Sequence, residues 1–159
     1  MRQMRFTINN MARNQCDAAA EISRLQHHVE PWTVERFVEF NRGPSQTCWV
    51  AMDNWKPTEK QRVCGYVCYT IDGDYQIECI GVHPEYNERD VLNMLFDKLE
   101  SFTVHYPHRR MFLFVPERVL EFQLYLRDRG WRCVSVQLVD ETQPEAGDGY
   151  LFRYPGVIQ

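Results

Sequence analysis

No apolar run in the sequence approaches membrane-spanning length, which argues against a transmembrane helix. The first residues, MRQMRFTINNMARN, are too polar for a secretory signal. Basic residues are not in excess: 18 Lys and Arg stand against 22 Asp and Glu, a net charge of −4. A non-specific nucleic-acid binder is usually basic, and the short Arg109-Arg110 and Arg127/Arg129 groups do not change that balance. CxxC spacing is also missing. The six cysteines, Cys16, Cys48, Cys64, Cys68, Cys79 and Cys133, are scattered and read as reduced thiols, mostly small core residues. Cys64 and Cys68 are four apart in an apparent strand, which puts them on one face at roughly 13 Å, too far for one metal ion. These absences lead us to expect a cytoplasmic protein with no metal, no nucleic-acid partner and no membrane partner.

What is present is a globular composition, 44% hydrophobic and 13% aromatic over 159 residues, enough for one domain with a sizeable core. Residues 4–9 read as a strand. Asp17 opens a helix whose Ala18, Ile22, Leu25 and Val29 form one stripe. Pro31-Trp32-Thr33 breaks it. Thr33 is a good N-cap for a second helix with Val34, Phe37, Val38 and Phe40 inward, ended by Gly43-Pro44. Strands follow at 47–53, 63–71 and 75–82, the last two joined by an Asp72-Gly73 hairpin signal. A helix with a Leu92, Leu95, Phe96, Leu99 stripe comes next. MFLFV, 111–115, is a short continuous apolar run, as in a strand buried on both faces. Pro116 then starts a helix with Val119, Leu120, Leu124 and the Tyr125–Leu126 pair inward, stopped by Gly130. Residues 131–139 and 149–154 close the chain as an antiparallel pair around a polar loop. The order β-α-α-β-β-β-α-β-α-β-β predicts an α/β (α+β) fold, with a mixed, mostly antiparallel sheet of about seven strands and helices on both faces.

One loop stands out. HPEYNERDVLNMLFDKLE, residues 83–100, runs from a strand end through a short loop into a helix. Loops so placed often hold a phosphate on backbone N–H groups at the positive helix end. They need glycine for close approach. This loop has none, and carries Glu88 and Asp90 instead. A carboxylate about 6 Å from a phosphate charge costs roughly 2–3 kcal/mol at an effective dielectric near 20. In the alternative reading Asp90 caps the helix, Glu88 sits near its positive end, and nothing binds.

Three stretches together carry a family resemblance: EPWTVERF (30–37), IGVHPEY (80–86), and FQLYLRDRGWRCVSV (122–136) followed by GDGYLFRY (147–154). In this order they resemble the GCN5-related N-acetyltransferase (GNAT) fold, and within it the RimI type that acetylates the N-terminal alanine of a ribosomal protein. The resemblance implies that the fourth and fifth strands splay apart and that acetyl-CoA lies in the notch. Its pantetheine arm would pair with Ile80, Gly81 and Val82, and its pyrophosphate would sit on Asn87, Glu88, Arg89, Asp90, Val91 and Leu92. The family pattern Arg/Gln-x-x-Gly-x-Gly/Ala meets Asp90 and Leu92 at its glycine positions. Arg89 folding over a phosphate would offset part of that loss.

The chemistry implied is direct attack of a primary amine, from a peptide N-terminus or a small molecule, on the thioester. It needs a base for the amine and an acid for the thiolate. The family's acid position, four before the Gly-aromatic pair, falls on Leu126. Tyr125 is adjacent, roughly 100° around the helix, and is the candidate acid. The family's Glu falls at Phe114 and its Asn at Val119. That leaves Glu78, a charge within an apolar strand, as the candidate base, with solvent exposure as the plain alternative. Glu117 is a weaker base candidate. His27, His28 and His83 offer proton relays or surface polarity. Trp32 walls a peptide groove or pins two helices. The departures at Asp90, Leu92, Phe114 and Leu126 keep a second reading open: a degenerate acetyltransferase fold acting as a binding or regulatory module, with a homodimer among its forms.

Overall fold

The computed structural model of the protein describes residues 4–26, 31–138 and 147–156. His27, His28 and most of the polar loop before the last strand lie outside the described residues. Seven strands form one sheet: β1 (Phe6–Asn10), β2 (Gln46–Asp53), β3 (Val63–Asp72), β4 (Asp74–Val82), β5 (Met111–Pro116), β6 (Arg132–Gln137) and β7 (Gly149–Tyr154), in the order β1-β2-β3-β4-β5-β7-β6. Only β4 and β5 run parallel. The helices are α1 (Cys16–Gln26), α2 (Val34–Arg42), a single turn α3 (Glu59–Arg62), α4 (Glu88–His105) and α5 (Leu120–Asp128). No helix among the described residues is long and apolar enough to cross a membrane.

Each helix follows from local chemistry. Thr33 caps α2, its Oγ1 accepting the Arg36 N–H at 3.2 Å. Leu95, Phe96 and Leu99 of α4 are wholly buried, each contributing roughly 1.5–3 kcal/mol by burial. With Tyr125, Leu126 and alternate residues of β3, β4 and β5 they form the core on one face of the sheet. A second core on the other face joins α1, Trp32 and Phe37 to the intervening strand residues.

Several expectations are corrected. Pro116 ends β5 and does not start a helix. Its carbonyl accepts the Val119 N–H at 3.0 Å in a turn, so α5 begins only at Leu120. That rotates the helix: Leu120 and Leu124 are exposed, while Phe122, Tyr125 and Leu126 face the core. β5 is not buried on both faces; Met111, Leu113 and Val115 are buried, and the residues between them are half-buried. Cys64 and Cys68 do not share a face. Cys64 is the extra residue of a bulge against β2, so it packs in the α4 core and Cys68 in the α1 core.

Candidate active site

β4 and β5 pair only at Tyr75–Met111, Gln76–Phe112 and Ile77–Leu113. Beyond Ile77 they diverge. The divergence starts at Glu78, the extra residue of a bulge between the Tyr69–Ile77 and Cys68–Cys79 pairs. A bulge bends its strand and raises the local twist, which frees the rest of β4 from β5. The opening is a cleft of about 440 Å³, walled by β4, the end of β5, the start of α5, and Ser23, Gln26 and Trp32 from the α1 side.

The register settles what β4 offers this cleft. His83 N–H donates to the Cys64 carbonyl at 2.8 Å, and Val82 pairs with Gly65. By the antiparallel alternation, Val82 and Ile80 turn their peptide groups away from β3 and toward the notch. Gln26 Nε2 already donates to the Val82 carbonyl. Ile80, Gly81 and Val82 thus form a free strand edge with one acceptor taken.

Glu78 stands in the cleft wall and is exposed to solvent. Loss of hydration raises its carboxyl above the ordinary glutamate range, opposed by a hydrogen bond with Thr70 and by the Arg36 charge. Phe114 lies across the cleft and brings no titratable group. Trp32 lines the cleft, and its buried ring packs 5.2 Å from both Phe37 and Phe40 of α2.

At the start of α4 the cap is Asn87, not Asp90: Asn87 Oδ1 accepts the Asp90 N–H at 3.2 Å. A helix turns about 100° per residue, so successive residues face different ways. Glu88 and Leu92 face the cleft. Asp90 and Val91 instead border a smaller pocket of about 300 Å³ with Arg5, Lys56 and Glu85. Arg89 turns toward α5, 3.6 Å from Asp128 and over the Tyr125 ring. Of the two loop carboxylates, the one facing the cleft is therefore Glu88. Tyr86, one residue before the cap, donates its hydroxyl to the buried Asp53 at 2.7 Å. Burial alone would raise the Asp53 carboxyl. Hydrogen bonds from Arg5, Tyr86 and the Trp55 N–H outweigh that and hold it below the usual range. The loop is anchored from behind, without glycine.

Tyr125 is set apart from this group. It does not line the cleft, and its hydroxyl donates to Asn93 Oδ1 at 2.7 Å. Burial pushes its phenol up to about 12, with Arg129 opposing. Tyr125→Phe should therefore cost about 1 kcal/mol of stability and change any turnover in the cleft less than about threefold. A hundredfold loss of turnover, read in a steady-state assay beside a thermal melt, would instead restore it as a proton donor.

Sequence reasoning missed Tyr66, Ser23 and Gln26; the β3–β4 register brings Tyr66 to the cleft, and the packing of α1 beside the sheet brings Ser23 and Gln26. Among the described residues no group of three or more His, Cys, Asp or Glu is placed to hold a metal.

The family described as "Acetyltransferase (GNAT) family" matches residues 16–131. No curated protein matches the sequence significantly. Among solved structures, Arabidopsis thaliana NAA60 in complex with acetyl-CoA is similar at a TM-score of 0.77 and 18% identity, over 94% of this chain and 97% of that one. The ribosomal-protein-S18-alanine N-acetyltransferase of Escherichia coli gives 0.69 and 19% over 97% and 96%. Ard1 of Thermoplasma volcanium gives 0.79 and 14% over 98% and 100%.

Proposed function

The chain belongs to the GNAT acetyltransferase family, and on that premise we propose that it transfers an acetyl group from acetyl-CoA to a primary amine by direct attack. The observation that carries this reading is the β4 notch with Glu78 at its bulge. Acetyl-CoA is the cosubstrate. Its pantetheine arm lies along the edge at Ile80, Gly81 and Val82, and its pyrophosphate lies at the start of α4. Glu78 takes a proton from the amine, directly or through water. The amine nitrogen forms a bond to the thioester carbon, the C–S bond breaks, and CoA leaves as the thiolate, which takes a proton from solvent. Of the amine classes, a RimI-type protein N-terminus is favoured by the EPWTVERF link and by the likeness to the E. coli S18 alanine acetyltransferase. The buried thiols of Cys16, Cys48, Cys64 and Cys68 fit a reducing compartment such as the cytoplasm.

The test is incubation with acetyl-CoA and a panel of free-N-terminal peptides and polyamines, read by mass spectrometry. Gain of one acetyl unit on an acceptor supports the reading; no acetylated product contradicts it. Glu88 in the cleft favours a second reading, a GNAT-fold binding module that has lost the donor, alone or as a homodimer. The charges separate the two loop carboxylates. At about 8 Å, Glu88 repels a phosphate charge by roughly 2 kcal/mol at an effective dielectric near 20. Glu88→Gln should then tighten acetyl-CoA about thirtyfold in a calorimetric titration. Asp90→Asn, facing the other pocket, should change it less than about threefold.

A further inference from the structure

We propose that Tyr66 is an acceptor-binding residue, its hydroxyl oxygen taking an N–H of the incoming amine on the α1–α2 side of the notch. The inference rests on the acetyl-transfer reading of the same cleft.

Tyr66 sits on β3 and turns toward α1 and α2, its ring held edge-on against Phe37 at 5.0 Å. Only 1% of the residue is exposed, yet it borders the cleft. It lies opposite Gly81 on β4. A Cβ at Gly81 would fall 2.7 Å from the Tyr66 ring and 2.9 Å from its hydroxyl. The missing side chain is what lets the phenol lie across β4 and bring its oxygen to the strand edge. There the neighbouring Ile80 and Val82 peptides face the notch.

The phenol's partners are few. Its one hydrogen-bond partner among the described residues is the Cys79 sulfur, 3.3 Å away. Ser23, which also lines the cleft, is engaged in accepting the Trp32 N–H at 2.9 Å. Sulfur is a weak donor and a weak acceptor, so whichever atom carries the proton the phenol oxygen keeps acceptor capacity. A buried tyrosine hydroxyl usually has a strong partner; a ring serving only as packing would be as well supplied by phenylalanine. Tyr66 lines the cleft together with Glu78, Trp32 and Ser23. An amine donating to it is held beside the bulge with its own lone pair free for the thioester. Burial raises the phenol well above its ordinary range, so this hydroxyl stays neutral while Glu78 titrates.

The test is Tyr66→Phe, which keeps the contact with Phe37. With the best acceptor of the peptide and polyamine panel, KM for the acceptor should rise about tenfold. The acetyl-CoA dissociation constant should stay within about twofold, and the acid limb of the pH profile should not move. An acceptor KM unchanged within twofold overturns the inference. So does a loss shared equally by acetyl-CoA and accompanied by a lowered melting temperature, which would make Tyr66 a packing residue. If the wild-type protein acetylates nothing, the acetyl-transfer reading fails and this inference falls with it. An active wild type beside an unmoved variant overturns this inference alone.

Discussion

Changing Glu78 to glutamine is expected to lower acetyl transfer by about 10²–10⁴-fold, the usual contribution of a positioned general base. Glutamine keeps the size of the side chain and removes the group that takes the proton. The pH dependence gives the sharper signature. Loss of hydration in the cleft wall raises the Glu78 carboxyl above the ordinary glutamate range, despite Thr70 and Arg36. Only the carboxylate is a base, so the rate should fall as pH drops through that raised value. The limb should therefore lie at higher pH than an unperturbed glutamate would give, and it should vanish in the variant. A rate–pH profile of both proteins decides this. A variant within about threefold of wild type at every pH would make Glu78 a solvent-facing strand residue and leave the base unassigned.

The largest stability effect is expected at Arg129. Its guanidinium bonds Glu100 through both Nε and Nη2, and reaches Asp97 at 2.6 Å and the Asn93 side chain at 3.2 Å. Glu100 is 8% exposed, so Arg129→Met leaves a carboxylate buried without its cation. Breaking such a pair should cost about 3–4 kcal/mol at neutral pH. The sign with pH follows from Glu100. Burial already raises its carboxyl, and Arg129 pulls it back. Without Arg129 its folded-state value rises further above the unfolded one. The deficit is then small in acid, where Glu100 is protonated in both states, and grows as pH rises through the raised value. Denaturant melts across pH would show this; a pH-independent loss would mean that only packing was removed. The network bears on function because it holds α5 against α4, and the start of α5 walls the cleft.

Most of the fold was legible because its signals are local. The Thr33 cap, the Asp72-Gly73 turn and the α4 stripe each name an element from a few residues, and each stands where expected. What failed depends on a single residue of register. Carried straight through from the turn, β3 and β4 would set Tyr66 opposite Ile80. The bulge at Glu78 moves it opposite Gly81 and opens the notch at the same point. No periodicity announces a bulge, because the alternation on either side is intact. Pro116 is a similar case: a proline is acceptable both at a helix start and at a strand end, and the turn bond to Val119 decided between them. The loop was legible in content but not in direction. Glu88 and Asp90 were both visible as carboxylates, and only the helix rotation set by the Asn87 cap shows that Glu88 faces the cleft.

The central claim is that the β4 notch still holds acetyl-CoA although its loop has no glycine. Calorimetric titration of the full chain with acetyl-CoA tests it most directly. One saturable site with a dissociation constant between about 1 and 100 μM is the expected result, the strand edge and the α4 N-terminus together supplying roughly 5–8 kcal/mol. No heat, and no rise in melting temperature at millimolar acetyl-CoA, would contradict the account and leave the chain a GNAT fold put to another use.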